Sequence, residues 1–306
     1  MEIPFDLART LAVVIDEGTL DAAARRLRLT PSAVSQRIKA LEHQLGRVLL
    51  VRSKPVRATD AGTAVVRLAR QLALLEHDAL MEFGVDAPSD RRVSIALAVN
   101  ADSLATWFLP ALARVSERHP IVFDLHRDDQ DFTAGFLESG TVMGAVTSQA
   151  AAVAGCLVRP LGLMRYQAVA APAFARHWRL DHGDGREGLA GAPVVDFDRR
   201  DDLQRDHLVA RGVDPDLPPR HYVPASNDFA AAIKLGLGWG MLPGFQCDAE
   251  LERGELVRIG GAPIDVPLYW QQWNLRSPLL DAIAHELAVE ARRALRNPHV
   301  QQESDA

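Results

Sequence analysis

Thr30-Pro31-Ser32-Ala33-Val34-Ser35-Gln36-Arg37-Ile38-Lys39-Ala40-Leu41-Glu42-His43-Gln44-Leu45-Gly46 is the stretch from which the fold can be read. Thr30 supplies a capping oxygen, Pro31 takes the first helical position where its missing N–H costs nothing, and Gly46 ends the segment. Val34, Ile38, Leu41 and Leu45 fall within one narrow arc and face a core. Ser32, Gln36, Lys39 and His43 point the other way, flanked by Ser35 and Arg37. Such a face can exchange hydrogen bonds with base edges in a major groove, while the positive end of the helix dipole meets phosphates. An ordinary solvated face has the same composition, and this helix alone leaves both readings open.

Upstream, Leu7, Leu11, Val14 and Ile15 make one apolar face of a helix over Asp6–Glu17, which Gly18 stops. Thr19 caps a second helix, Leu20–Leu27, in which Ala22, Ala23 and Ala24 let a neighbour approach closely. Downstream come a short strand, Val48–Val51, a basic turn, Arg52-Ser53-Lys54-Pro55, and a return strand, Val56–Ala58. Two helices, a tight turn, a third helix and a basic hairpin are the winged form of the helix-turn-helix. From Asp60 to Phe83 one long helix is expected, with a two-heptad seam of Val65, Leu68, Leu72, Leu75 and Ala79. The seam suits self-association and core packing alike.

The charge is uneven across the 306 residues. The whole chain carries 34 Lys and Arg against 40 Asp and Glu, a net of −6. Asp21–Thr59, however, holds nine basic residues against only Asp21 and Glu42. A short basic module, suited to nucleic acid, therefore precedes a long acidic one. At 48% hydrophobic and 24% charged the chain is globular, not disordered or fibrous. It contains no apolar run of about 20 residues. Asp6, Asp16 and Glu17 stand where a signal peptide would be basic and then apolar, so a cytoplasmic protein with no membrane partner is expected. Cys156 and Cys247 lack metal-type spacing, and neither a metal nor another cofactor is expected.

Gly84–Asp90 reads as a hinge, after which strands and helices alternate. Val93–Val99 is a strand, Leu104 to Val115 marks one helix, Ile121–Leu125 is a strand, Phe132–Glu138 a helix and Val142–Val146 a strand. A second set follows, and Leu268–Trp273 with a helix over Pro278–Arg296 closes the chain. The fold class is α/β with a largely parallel sheet, in two lobes of similar size with a cleft between them.

No phosphate-loop, nucleophile-elbow or metal pattern occurs, so no catalytic residue is expected and the chain reads as a sensor rather than an enzyme. Gly236-Leu237-Gly238-Trp239-Gly240 follows a helix and precedes a strand, the reverse of a dinucleotide-binding turn. Ligands of parallel sheets gather beyond strand carboxyl ends near helix N-termini, whose free N–H groups favour anions. This directs attention to Asp102 and Ser103, to Thr147 and to Ser226 with Asp228, positions whose hydroxyls and N–H groups suit a ligand carboxylate. Acids cluster at the same ends: Asp102, Asp128 with Asp129, Asp198 and Asp228. Carboxylates so gathered repel one another unless a cation joins them, so a cationic ligand is expected. Asp102 and Asp228 also suit plain helix caps, and Asp128-Asp129 a solvated turn.

Leu20–Ala24, Leu29–Glu42, Leu45-Gly46 and Thr59-Asp60-Ala61-Gly62 resemble the N-terminal signature of LysR-type transcriptional regulators. The chain departs from many members at Leu50-Val51-Arg52 and at Ser35-Gln36-Arg37-Ile38. The resemblance implies a winged helix-turn-helix over 1–59, a dimerising linker helix over 60–84, a hinge at 85–91 and an effector-binding domain over 92–300. That domain would resemble periplasmic binding proteins, with lobe I at 92–161 and 268–300 and lobe II at 162–267. DNA contacts are expected from Thr30, Pro31, Ser32, Ser35, Gln36, Arg37 and Lys39 on the third helix, and from Arg52, Lys54 and Arg57 on the wing.

Asn100–Trp107, Gly144-Ala145-Val146, His221-Tyr222-Val223-Pro224 and Leu268-Tyr269-Trp270 further resemble the branch of that family (LysG/ArgP-type) that responds to lysine and arginine and controls a basic-amino-acid exporter. The resemblance implies operator DNA, RNA polymerase and a basic amino acid (lysine, arginine, with histidine as a third) as partners, and a homodimer or homotetramer as the assembly. Rival readings are an architectural or replication-inhibiting DNA-binding protein without ligand control, a LysR-type regulator of another small ligand, and an α/β enzyme with a basic accessory domain.

Overall fold

The computed structural model describes residues 2–83, 93–128, 133–180 and 185–297, and for Asp128 the backbone alone. The expected hinge at 85–91 lies outside the described residues.

The N-terminal unit consists of α1 (Phe5–Glu17), α2 (Leu20–Leu27), α3 (Pro31–Leu45), β1 (Leu50–Val51), β2 (Arg57–Ala58) and α4 (Asp60–Glu82). Its boundaries follow local chemistry. Thr19 Oγ1 accepts from the Ala22 N–H at 3.2 Å, Thr30 Oγ1 from Ala33 at 3.1 Å and Thr59 Oγ1 from Gly62 at 3.1 Å. These oxygens satisfy N–H groups that the helices leave unpaired. Leu11, Val14, Val34, Ile38, Leu41, Leu49, Val65 and Val66 share one core. A Cβ on Gly62 would lie 2.0 Å from the Leu49 carbonyl oxygen, so only glycine lets the start of α4 touch the wing. The strands are shorter than expected because Val56 donates to the Gly18 carbonyl at 2.9 Å instead of extending the hairpin.

The long helix α4 does two jobs. Val65, Val66 and Ala69 complete the N-terminal core, while Leu74 joins the core of the following domain. Of the expected seam, Val65 is buried and Leu68 half-buried, whereas Leu72, Leu75 and Ala79 are exposed. Leu80, Met81 and Phe83 extend the exposed apolar surface.

The C-terminal unit contains β3 (Val93–Asn100), α5 (Ala101–Thr106), α6 (Phe108–Arg118), β4 (Ile121–Asp128), α7 (Thr133–Glu138), β5 (Gly144–Thr147), β6 (Cys156–Ala170), α8 (Pro172–His177), α9 (Arg186–Gly191) and β7 (Val194–Asp196). After these come α10 (Leu203–Ala210), β8 (Arg220–Tyr222), α11 (Ser226–Lys234), β9 (Gly240–Pro243), α12 (Gly244–Glu252), β10 (Val257–Arg258), β11 (Ile264–Trp273) and α13 (Pro278–Ala294). The helix expected from Leu104 to Val115 is two helices, α5 and α6, broken at Trp107. There the Trp107 indole N–H donates to Ser103 Oγ at 3.1 Å.

The expectation of a largely parallel sheet needs correction. β4 and β5 flank β3 in parallel and β7 pairs β8 in parallel, but β6 pairs antiparallel with β9, β10 and β11, and β11 with β5. The reason is topological: β6 leaves the first lobe and β11 returns to it, so the two crossovers run side by side in opposite directions. Apolar periodicity cannot register strand direction, since it reads only faces. The crossover point carries two irregularities. The β6–β11 register shifts between Leu268 and Tyr269, and Gly162 has φ +144°. A Cβ on Gly162 would lie 2.8 Å from the Leu295 Cβ and 2.9 Å from the Arg296 carbonyl oxygen.

Candidate functional site

The N-terminal unit presents one polar face. Pro31, Ser32, Gln36 and Lys39 are exposed on α3, with the Thr30 cap beside them, while Ser35 is half-buried. Arg37 is drawn back: half-buried, it donates to Thr10 Oγ1 of α1 at 3.3 Å. On the hairpin Arg52, Lys54 and Arg57 are exposed, and none of them forms an ion pair among the described residues. Glu42 holds the wing against α3, its Oε1 accepting from the Leu49 N–H at 2.8 Å and the Leu50 N–H at 3.4 Å. The acid nearest the basic face is thereby turned to structural use. What remains is a helix face able to read groove edges beside three free cations.

The second site is a cavity at the carboxyl end of β3. It is lined by Asn100, Ala101, Asp102, Tyr166, Phe197, Asp201, Leu203, Phe229, Met241 and Pro243, and none of these is basic. Asp102 stands in the first turn of α5. Its Oδ1 accepts from Ser226 Oγ of α11 at 2.7 Å and its Oδ2 from the Tyr166 hydroxyl of β6 at 2.8 Å. Ser226 in turn accepts from Gln246 Nε2 at 2.8 Å. The Asp102 carboxylate thus joins residues on both sides of the cleft. Burial raises its pKa above the usual carboxylate value, against the two hydroxyl donors that favour the charge.

Asp201 is the second carboxylate of the cavity. Its Oδ2 accepts from the Phe197 N–H at 3.0 Å and from Gln204 Nε2 at 2.9 Å, and its Oδ1 from the Leu203 N–H at 3.2 Å. Burial nevertheless pushes its pKa up to about 6, and the Asp196 charge adds to the effect. Asp196 is itself buried and ion-paired with Arg220. With only neutral donors on Asp102 and Asp201, a cation entering the cavity would relieve both. The cavity measures about 30 Å3, room for one or two waters, whereas small-molecule pockets begin near roughly 300 Å3. Admission of an organic ligand therefore requires the lobes to part or the lining side chains to swing.

Of the expected ligand residues, Asp102 lines the cavity and Ser226 holds it in place. Ser103 is buried with its hydroxyl taken by Trp107, and Thr147 is buried with its Oγ1 accepting from the Gln149 N–H at 3.1 Å. Asp198 forms an ion pair with Arg200 at 3.1 Å, and Asp228 is exposed on α11; neither lines the cavity. The Asp128 side chain and Asp129 lie outside the described residues. Sequence reasoning missed Tyr166, Asp201 and Gln246. For Asp201 a signal existed. In Asp198-Arg199-Arg200-Asp201-Asp202-Leu203-Gln204 an acid close before a helix start is a capping position, and such a residue turns its carboxylate inward.

Residues 5–63 match the family model "Bacterial regulatory helix-turn-helix protein, lysR family", and residues 88–291 match "LysR substrate binding domain". The HTH-type transcriptional regulator LysG of Mycobacterium tuberculosis is 46% identical over 282 residues, 92% of this chain and 91% of that protein. The lysine export transcriptional regulatory protein LysG of Corynebacterium glutamicum is 39% identical over 289 residues, 94% of this chain and 97% of that protein. A structure of full-length LysG from C. glutamicum with bound effector Arg superposes with a TM-score of 0.74 at 38% identity, covering 96% of this chain and 99% of that one.

Proposed function

The chain belongs to the LysR family of bacterial helix-turn-helix regulators, and on that premise we propose that it is a transcriptional regulator that senses a basic amino acid, lysine or arginine, and controls a gene for its export. The observation that carries the ligand class is the pairing of Asp102 and Asp201 in a cavity with no basic lining residue. The relative solved with bound Arg supports the same class.

The mechanism follows from where the groups stand. Ser32, Ser35 and Gln36 give register and base discrimination in the major groove, while Arg52, Lys54 and Arg57 supply phosphate contacts. Arg37 supports α3 from behind. In the distal cavity the ligand cation meets Asp102 or Asp201, and the Asp102 bonds to Ser226 and Tyr166 are exchanged for bonds to the ligand. That exchange alters how the lobes are held. A ligand shifts the assembly only by binding one arrangement better than another, and the arrangement so selected sets the spacing of the DNA-binding units and the contact with RNA polymerase.

The exposed Leu72, Leu75 and Ala79 of α4 support pairing with a second copy, as a homodimer or homotetramer with two recognition helices in successive grooves. As a member of a family of transcriptional regulators, the chain acts by binding its ligand and not by turning it over. No helix of the described residues is long and apolar enough to cross a membrane. Action on operator DNA implies a cytoplasmic protein.

A thermal-shift screen against the twenty amino acids tests the ligand class. Stabilisation confined to lysine, arginine and histidine is the expected result, because a ligand that binds only the folded state raises apparent stability. A protein that binds operator DNA but shifts with no amino acid would refute it.

A further inference from the structure

A free basic amino acid carries an α-carboxylate as well as its cations, and none of the residues lining the cavity is basic. A carboxylate brought close to Asp102 and Asp201 is repelled unless a cation joins it. Two nearby arginines are paired with carboxylates, Arg220 with Asp196 and Arg200 with Asp198. A third, Arg199, lies over the ring of Tyr222 at 4.6 Å, and Tyr222 does not line the cavity.

Arg127 is unpaired among the described residues and rests on a ring of the cavity wall itself. It lies near the carboxyl end of β4, in register with Val99, the residue before the cavity-lining Asn100. Its side chain is exposed and forms no ion pair among the described residues. Its guanidinium rests over the ring of Phe197 at 5.9 Å from the centroid, and Phe197 lines the cavity from the opposite lobe. A cation over an aromatic face is held by only about 0.5–1 kcal/mol at an exposed site, so it moves readily toward a stronger partner. A guanidinium binds a carboxylate through two parallel hydrogen bonds.

The geometry points to Arg127 as the residue that receives the α-carboxylate of the amino acid, from the rim of the cleft, while Asp102 and Asp201 receive its cations. The inference rests on the reading that a basic amino acid occupies this cavity. It makes Arg127 a specificity residue: it selects amino acids over the corresponding amines, which present the same cation without the carboxylate. It also draws β4 of one lobe toward Phe197 of the other as the ligand settles.

The test is calorimetric titration of the full-length protein with L-lysine and with 1,5-diaminopentane, its analogue without the carboxylate. Wild type, Arg127→Ala and Arg127→Lys are compared. Wild type should prefer lysine; Arg127→Ala should weaken lysine on the order of tenfold or more and leave the diamine unchanged. Arg127→Lys, which keeps the charge but not the fork, should fall between. Because Arg127 is exposed and its contact with Phe197 is weak, the melting temperature of the free protein should fall by no more than a few degrees, and that measurement separates ligand recognition from folding. Unchanged lysine affinity in Arg127→Ala, or equal loss for lysine and diamine, overturns the assignment. Failure of wild type to bind either lysine or arginine overturns instead the basic-amino-acid reading beneath it.

Discussion

Lowering the pH from 7.5 to 5 should weaken the binding of arginine about tenfold, because Asp201 must be ionised to pair with the ligand cation and its pKa is raised to about 6. At pH 5 a group with that pKa is about one-tenth ionised, and at pH 7.5 almost wholly so, which is about 1.4 kcal/mol of binding free energy. The guanidinium of the ligand stays charged throughout. The sign on folding is the opposite. A carboxyl raised from 3.8 to about 6 binds its proton more tightly in the folded state, so its contribution to stability is full below pH 3.8 and is lost as pH rises through about 6. The loss is at most about 3 kcal/mol, since Asp201 is only partly shielded from solvent. A bound cation offsets it, so the ligand-induced rise in melting temperature should be larger at pH 7.5 than at pH 5. Calorimetric titration at pH 5, 6 and 7.5 on wild type and Asp201→Asn reads the effect directly. A dissociation constant that is flat across this range, or a slope no smaller in Asp201→Asn than in wild type, would refute the argument that this carboxylate meets the cation.

Four further outcomes are expected. Replacing Arg52, Lys54 or Arg57 singly by Ala should lower the slope of log affinity against log salt for operator DNA by about 1 each, measured by filter binding or anisotropy; an unchanged slope would remove that residue from the phosphate contacts. Glu42→Ala leaves the Leu49 N–H without its 2.8 Å acceptor and should destabilise the N-terminal unit by about 1–3 kcal/mol in urea melts. Leu72→Asp with Leu75→Asp should convert the assembly to smaller species in analytical ultracentrifugation, since both side chains are exposed in the single chain and the monomer fold does not need them. Arg70 of α4 donates both to Asp16 of α1 and to the Gly140 carbonyl of the effector domain, so Arg70→Ala should reduce the change in operator affinity caused by lysine more than it reduces either affinity alone, as read by gel shift with and without ligand.

The N-terminal unit was legible because its determinants are local. Thr19, Thr30, Pro31 and Gly46 mark helix ends through bonds within a few residues, and Val34, Ile38 and Leu41 declare the buried face by spacing alone. The charged wing is likewise a property of consecutive residues. The cleft was legible only in part. Asp102 is recognisable as an acid after a strand, and Ser226 as the head of a helix, but the 2.7 Å bond between them joins positions 124 residues apart. Tyr166 sits in a strand whose pattern suggests only burial, and its hydroxyl acquires a role because the crossover places it against Asp102. Asp198 and Asp201 are three residues apart with similar neighbours; tertiary packing alone turns one toward Arg200 and the other into the cavity.

By itself, the sequence determined a basic helix-turn-helix joined by a long helix to a two-lobed α/β domain, since caps, periodicity and charge act over one or two turns. Only the tertiary structure decided strand direction, the lobe crossover at Gly162 and Leu268, and which carboxylates share the cleft. Those depend on pairings between distant segments, where burial and the loss of solvent set each carboxyl group's charge.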